Sequence, residues 1–165
     1  MKLGSRLLIG ALAGLAGTAA MTSAMRRMDR RLPGKERYPL PPREIVDSTL
    51  APPDEPARDL TIAMHFAYGA ACGAVLGTVN PGMGKLTGAA AGGAIWLGSY
   101  MGWIPAFAVL EPATRHPLRR NALMIGVHFV WGWSTAGAMR ELQAARGTIF
   151  ASGTDRDLPV RKRRG

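Results

Sequence analysis

LTIAMHFAYGAACGAVLGTV, residues 60–79, runs for about 20 residues without Asp, Glu, Lys or Arg. A helix rises about 1.5 Å per residue, so this length matches the roughly 30 Å hydrocarbon core of a bilayer. Within it, Gly69, Gly73 and Gly77 recur at four-residue spacing, which puts two overlapping GxxxG patterns on one helix face. In lipid no hydrophobic force draws helices together, so close van der Waals approach over such a bare face has to do so. The stretch predicts a transmembrane helix with a flat packing surface, against span one of the same chain or a second copy.

Three further stretches have the same character: 7–25, 86–110 and 121–139, none with a charged side chain. A charge at mid-bilayer costs at least about 2.5 kcal/mol on insertion scales, so its absence from all four is meaningful. The fold class that follows is all-α, a four-helix transmembrane bundle. Span one is rich in Gly10, Gly14 and Gly17, and span three opens with Gly88 and Gly92, two more packing faces. The turn Asn80–Gly84, with Pro81 and Gly82, predicts a tight hairpin that makes spans two and three antiparallel neighbours. Pro105 is expected to kink span three or end it early.

The four spans leave room for one membrane domain, residues 1–146. A linker occupies 26–59 and a disordered basic tail 147–165. In the linker, Tyr38–Arg43 (YPLPPR) reads as an extended polyproline-like strip. From Arg43 to Leu50 a short helix is expected, opened by Pro41 and Pro42, with Ile45, Val46 and Leu50 as an apolar stripe on the membrane surface. Lys2 and Arg6 before 7–16 also fit a secretory signal, but the apolar run continues to Met25 and ends in Arg26, Arg27, Arg30 and Arg31, as a stop-transfer sequence does.

The mean hydropathy of +0.03 averages apolar spans with charged connections. The net charge of +10 lies outside the spans, which points to the lipid bilayer and its anionic headgroups as partners rather than to nucleic acid. Homo-oligomerisation is open through the glycine faces. Cys72 is the lone cysteine, so there is no intrachain disulfide and no cysteine-rich metal site. No phosphate-binding loop, no GxSxG and no intramembrane carboxylate pair is present, so no catalytic residue, cofactor or metal is assigned and the chain reads as a non-enzyme.

The polar groups inside the spans are few. His65 and His128 sit in spans two and four, which run the same way, at similar depth from one membrane face. Glu111 closes span three at that face, and Arg43 of the linker and Tyr100 of span three complete a candidate polar cluster. Ionisable groups in a membrane are by default a site, although a neutral histidine bonded to a neighbouring carbonyl is a purely structural alternative. Because histidine titrates near neutrality, the pair would be sensitive to protonation.

The order of these landmarks resembles the YagU-like family of small bacterial inner-membrane proteins, a family without assigned biochemical function. The likeness rests on the Gly/Ala-rich first span followed by Pro39-Leu40-Pro41-Pro42-Arg43 with Val46-Asp47, on a second span opening near His65, on a Gly/Ala-rich third span ending in a Pro-bearing segment, and on Gly126-Val127-His128-Phe129-Val130-Trp131-Gly132-Trp133. It implies a multi-pass protein of the inner (plasma) membrane and brings no reaction with it. It also implies internal termini, whereas the count of basic residues near span ends favours a cytoplasmic linker and external termini. The expected function is a small bundle with a sensing, scaffolding or membrane-stress role. The alternative is a proton or small-solute transporter or channel subunit acting as an oligomer.

Overall fold

A computed structural model of the chain describes residues 1–153. Five α-helices carry it: α1 (Leu3–Asp29), α2 (Pro41–Leu50), α3 (Asp54–Val79), α4 (Lys85–Gly98) and α5 (Leu118–Gly147). No strand occurs among the described residues. Helix α5 closes in a turn at 148–150, and the expected basic tail lies from residue 154 onward outside the described residues.

Two of these helices, α1 and α3, are long and apolar enough to cross a membrane. The other two expected spans differ from the prediction. Regular α-helix in the third stops at Gly98 after 14 residues, about 21 Å of rise and short of a bilayer by itself. It continues through a π-helical turn, Ser99–Trp103, in which Gly102 leaves helical geometry (φ −111°, ψ −105°), and ends in the single turn Ile104–Ala106. Pro105 has no N–H to donate, and its ring crowds the carbonyl four residues earlier, that of Met101. The wider π turn encloses that carbonyl. Helix α5 has ample length at 30 residues, but His128, Trp131, Trp133 and Ser134 hold its apolarity below that of α1 and α3.

Glycine decides which helices touch. A Cβ built on Gly73 would strike the backbone of Gly10 and Gly14, and one on Gly14 the carbonyl of Gly69, so α1 and α3 pack backbone to backbone. Gly88 and Gly92 press in the same way on Gly132 and on the carbonyl of His128, joining α4 to α5. Gly17 faces Thr135 and Trp131 of α5, so α1 lies between α3 and α5. There Trp131 Nε1 donates to Thr18 Oγ1 (3.2 Å), which donates in turn to the Gly14 carbonyl (2.8 Å).

One expectation fails as a result. The arms of the α3–α4 hairpin are not close neighbours, because each has spent its small face elsewhere, α3 on α1 and α4 on α5. Large side chains bridge the gap instead, with the Tyr68 and Ser99 hydroxyls hydrogen-bonded at 2.8 Å and Tyr68 tilted against Trp103.

Gly, Ala and Thr are buried between helices, while Leu8, Leu12, Ile62, Val75, Leu97 and Phe129 face outward. Helix α2 opens with Pro41 at its first position, where the missing N–H costs nothing. The strip expected to be extended as far as Arg43 is therefore extended only up to Leu40.

Candidate functional site

The parted hairpin leaves a cavity of about 200 Å³ between α3 and α4. Thr18 and Met21 of α1 form its back wall with Met124, His128 and Trp131 of α5. Helix α3 contributes Met64, His65, Tyr68 and Cys72, and the fourth helix with its π turn contributes Trp96, Ser99, Tyr100 and Trp103. Helix α2 lies across the end as a lid through Pro41, Pro42, Ile45, Val46 and Thr49. Met64, Tyr68 and Trp103 are also exposed on the outer surface, so the cavity opens sideways between the hairpin arms. The half of the bundle beside the hairpin turn is filled, by Ile9, Ala13, Met83, Ala136 and Met139.

Three members of the sequence-derived cluster meet here. His65, His128 and Tyr100 all line the cavity. His128 Nδ1 donates to the Met124 carbonyl one turn earlier (2.7 Å), so Nδ1 carries a proton and, in the neutral ring, Nε2 is the acceptor. His65 Nε2 is buried without a partner. So are the Tyr100 hydroxyl and Trp96 Nε1, although their residues are only 3% and 9% exposed.

The other two members lie elsewhere. Glu111 is exposed in the loop after the broken span, since the chain leaves helical geometry before reaching it. Arg43 points away from the cavity, because α2 turns Pro41, Pro42, Ile45 and Val46 inward and puts Arg43 and Asp47 on the opposite face. Its Nε donates to Asp47 (2.8 Å) and its Nη2 to Asp54 at the start of α3 (2.9 Å). These carboxylates raise the Arg43 pKa, Asp47 more than Asp54. Asp54 is held below the usual carboxylate range, first by the Arg43 hydrogen bond and then by the charge of Arg58.

Sequence reasoning missed the residue that holds the lid. Arg120, 1% exposed, donates to the carbonyls of Tyr38 (3.0 Å) and Pro39 and to Glu44 Oε2 (3.1 Å). Its guanidinium lies 3.6 Å from the centre of the Tyr38 ring, at cation–π distance. The Tyr38 hydroxyl shares a hydrogen bond of 2.9 Å with His116 Nδ1, and the His116 ring stacks on Tyr100. One guanidinium thus ties the linker, α2 and the cavity wall together. The signal was spacing: Arg120 stands three, four, seven and eleven residues before Leu123, Met124, Val127 and Trp131, all on the buried stripe of α5.

Comparison of the chain with protein-family models, with curated proteins and with solved structures finds no match.

Proposed function

We propose that the chain is a multi-pass inner-membrane protein, a four-helix transmembrane bundle of the YagU-like kind, and that it works without catalysis, as a sensor or scaffold that takes up a bilayer-borne molecule. The observation that carries this reading is the cavity between α3 and α4, lidded by α2 and open sideways where Met64, Tyr68 and Trp103 are exposed. An entrance on the side of a bundle whose outer surface is Leu, Ile, Val and Phe faces acyl chains rather than water. Close glycine contacts between helices and large apolar side chains on the outer surface support four membrane crossings, with the π-broken third segment supported by its neighbours rather than by its own length. A transporter or channel subunit is the weaker reading, because the filled half beside the hairpin turn gives one chain no continuous path.

Cys72 is half-buried in the cavity wall and is the lone thiol, which provides the test. In carbonate-washed membranes a lipid-soluble alkyl maleimide should label it faster than a charged, membrane-impermeant maleimide. Labelling by the charged reagent alone, or loss of the protein in the wash, would overturn the reading.

A further inference from the structure

We infer that the end of the bundle formed by the tip of α1, the linker and the start of α5 is a binding face for anionic phospholipid headgroups; the inference rests on the membrane reading above and adds to it the lipid class and the face. Arg30 and Arg31 of α1, Lys35 and Arg37 of the linker, Arg115 and Arg119 are all exposed there. Hydrogen bonds gather them. Arg37 Nη2 donates to the carbonyls of Arg30 (2.7 Å) and Leu32 (3.2 Å), which folds the linker back beneath α1. Arg120 donates to the carbonyls of Tyr38 and Pro39 and so ties the same linker to the start of α5. The Tyr38 hydroxyl and His116 Nδ1, 2.9 Å apart, bring Arg115 alongside.

The charge of this face is not neutralised from within. None of these cations forms an ion pair among the described residues, and the carboxylates on the same segments are only Asp29 and Glu36, half-buried, and Glu111, exposed. Helix α5 deepens the imbalance, because its first turn carries Arg119 and Arg120 with no acidic residue and no side-chain cap, where the helix amides already present a partial positive charge. Glu44 answers Arg120 and no carboxylate answers Arg119. The α2–α3 side of the same end is different in character. There Arg43 and Arg58 are paired with Asp47 and Asp54, and Glu55 and Asp59 stand exposed, so the cationic face is one-sided.

Depth favours a lipid over a soluble polyanion. The charge-free stretch of α1 ends at Met25, which puts Arg30 and Arg31 about 8 Å beyond it, at the level of the headgroup layer that borders the hydrocarbon by roughly 5–8 Å on each side. Leu118 is 83% exposed beside Arg119, an arrangement that suits the boundary between acyl chains and headgroups rather than open water.

The test places the full chain in phosphatidylcholine nanodiscs that contain, at equal mole fraction, either phosphatidylglycerol or phosphatidylcholine with the same acceptor dye on one tail. A donor dye sits on Thr114→Cys in a Cys72→Ser background, an exposed position beside Arg115, and energy transfer reads the local lipid. One basic residue at an anionic surface strengthens binding about fivefold, so phosphatidylglycerol should be enriched around the donor by at least about that factor. The preference should fade in about 1 M salt, where the Debye length shrinks to about 3 Å. It should also fade when Arg30→Gln, Arg31→Gln, Arg115→Gln and Arg119→Gln are combined, all at exposed positions, and persist in Arg140→Gln at the far end of the bundle. Inorganic phosphate at matched ionic strength should leave it unchanged; its loss would make free phosphate the ligand and overturn the lipid. Equal transfer from the two lipids, or a preference that survives the combined variant, would overturn the assignment, and retention of a labelled oligoribonucleotide in place of the lipid preference would give the face to a soluble polyanion. Equal transfer from a carbonate-resistant protein refutes the face alone, whereas a protein washed off the membrane refutes the membrane reading beneath it.

Discussion

Replacing Arg120 by Leu should release the α2 lid without unfolding the bundle. The side chain makes three hydrogen bonds, to the carbonyls of Tyr38 and Pro39 and to Glu44, and stacks on the Tyr38 ring. Breaking a buried ion pair by removing one partner costs about 3–5 kcal/mol, chiefly because the other charge is left dry. The Glu44 side chain is 23% exposed and keeps some water, so the cost falls near the lower end, about 3 kcal/mol. A ten-residue helix such as α2 is marginal alone, because isolated helices need roughly 12–15 residues to persist, and the loss is therefore felt in its docking. At about 1.4 kcal/mol per tenfold, the open population rises on the order of a hundredfold. Limited trypsinolysis reads this directly, because the Arg43–Glu44 bond lies inside α2 and is cut in proportion to local opening. Arg120→Lys, which keeps the charge but loses the planar fork, should fall between, and Arg119→Leu, an exposed site, should behave as wild type. An Arg120→Leu protein that retains its helicity and is cut at that bond within threefold of the wild-type rate would refute the latch.

Gly73→Ala should loosen the α1–α3 pair by about 1–3 kcal/mol, since the new methyl meets backbone of Gly10 and Gly14 that cannot rotate away. Gly98→Ala, with open space around it, should be neutral or stabilising, and denaturation in mixed SDS micelles compares the two. Asp54 should titrate below the usual carboxylate range by NMR of its side-chain carbon and return toward that range in Arg43→Gln. Because its pKa is depressed on folding, the α2–α3 tie it makes is present above the ordinary carboxylate pKa and is lost as pH falls through the lowered value. Ala51→Gly should stabilise the end of α2 by about 1 kcal/mol, since Ala51 holds a left-handed conformation (φ 42°) that glycine adopts freely; slower cleavage at Arg43 is the readout.

Most of the helical content was legible because apolar length and Gly/Pro punctuation act locally. The glycine faces of residues 10–17, 69–77 and 88–92 were visible as bare stripes, but which stripe met which was not. That pairing depends on competition: once α3 has taken α1 and α4 has taken α5, the short Asn80–Gly84 turn cannot force the hairpin arms together, and the cavity follows. His65, His128 and Tyr100 were recognisable as polar groups in apolar segments. Glu111 and Arg43 were grouped with them by membrane depth alone, which says nothing about the helix face on which a side chain lies. Arg120 lies among the basic residues that flank the fourth apolar stretch, and only its spacing to Leu123, Val127 and Trp131 marks it as belonging to the buried face. The π turn at Ser99–Trp103 was foreshadowed by Pro105, but its position depends on where a widened turn can absorb the carbonyl of Met101.

The proposed membrane bundle is tested most directly by a topology map in carbonate-washed membranes. Single reporter sites would be placed in the linker at Lys35, in the hairpin turn at Gly82, in the loop at Thr114 and after Gly153. Four crossings predict that Lys35 and Thr114 report one side of the membrane, and that Gly82 and the C-terminal site report the other. Lys35 and Gly82 on the same side, or protein recovered in the wash, would contradict the account.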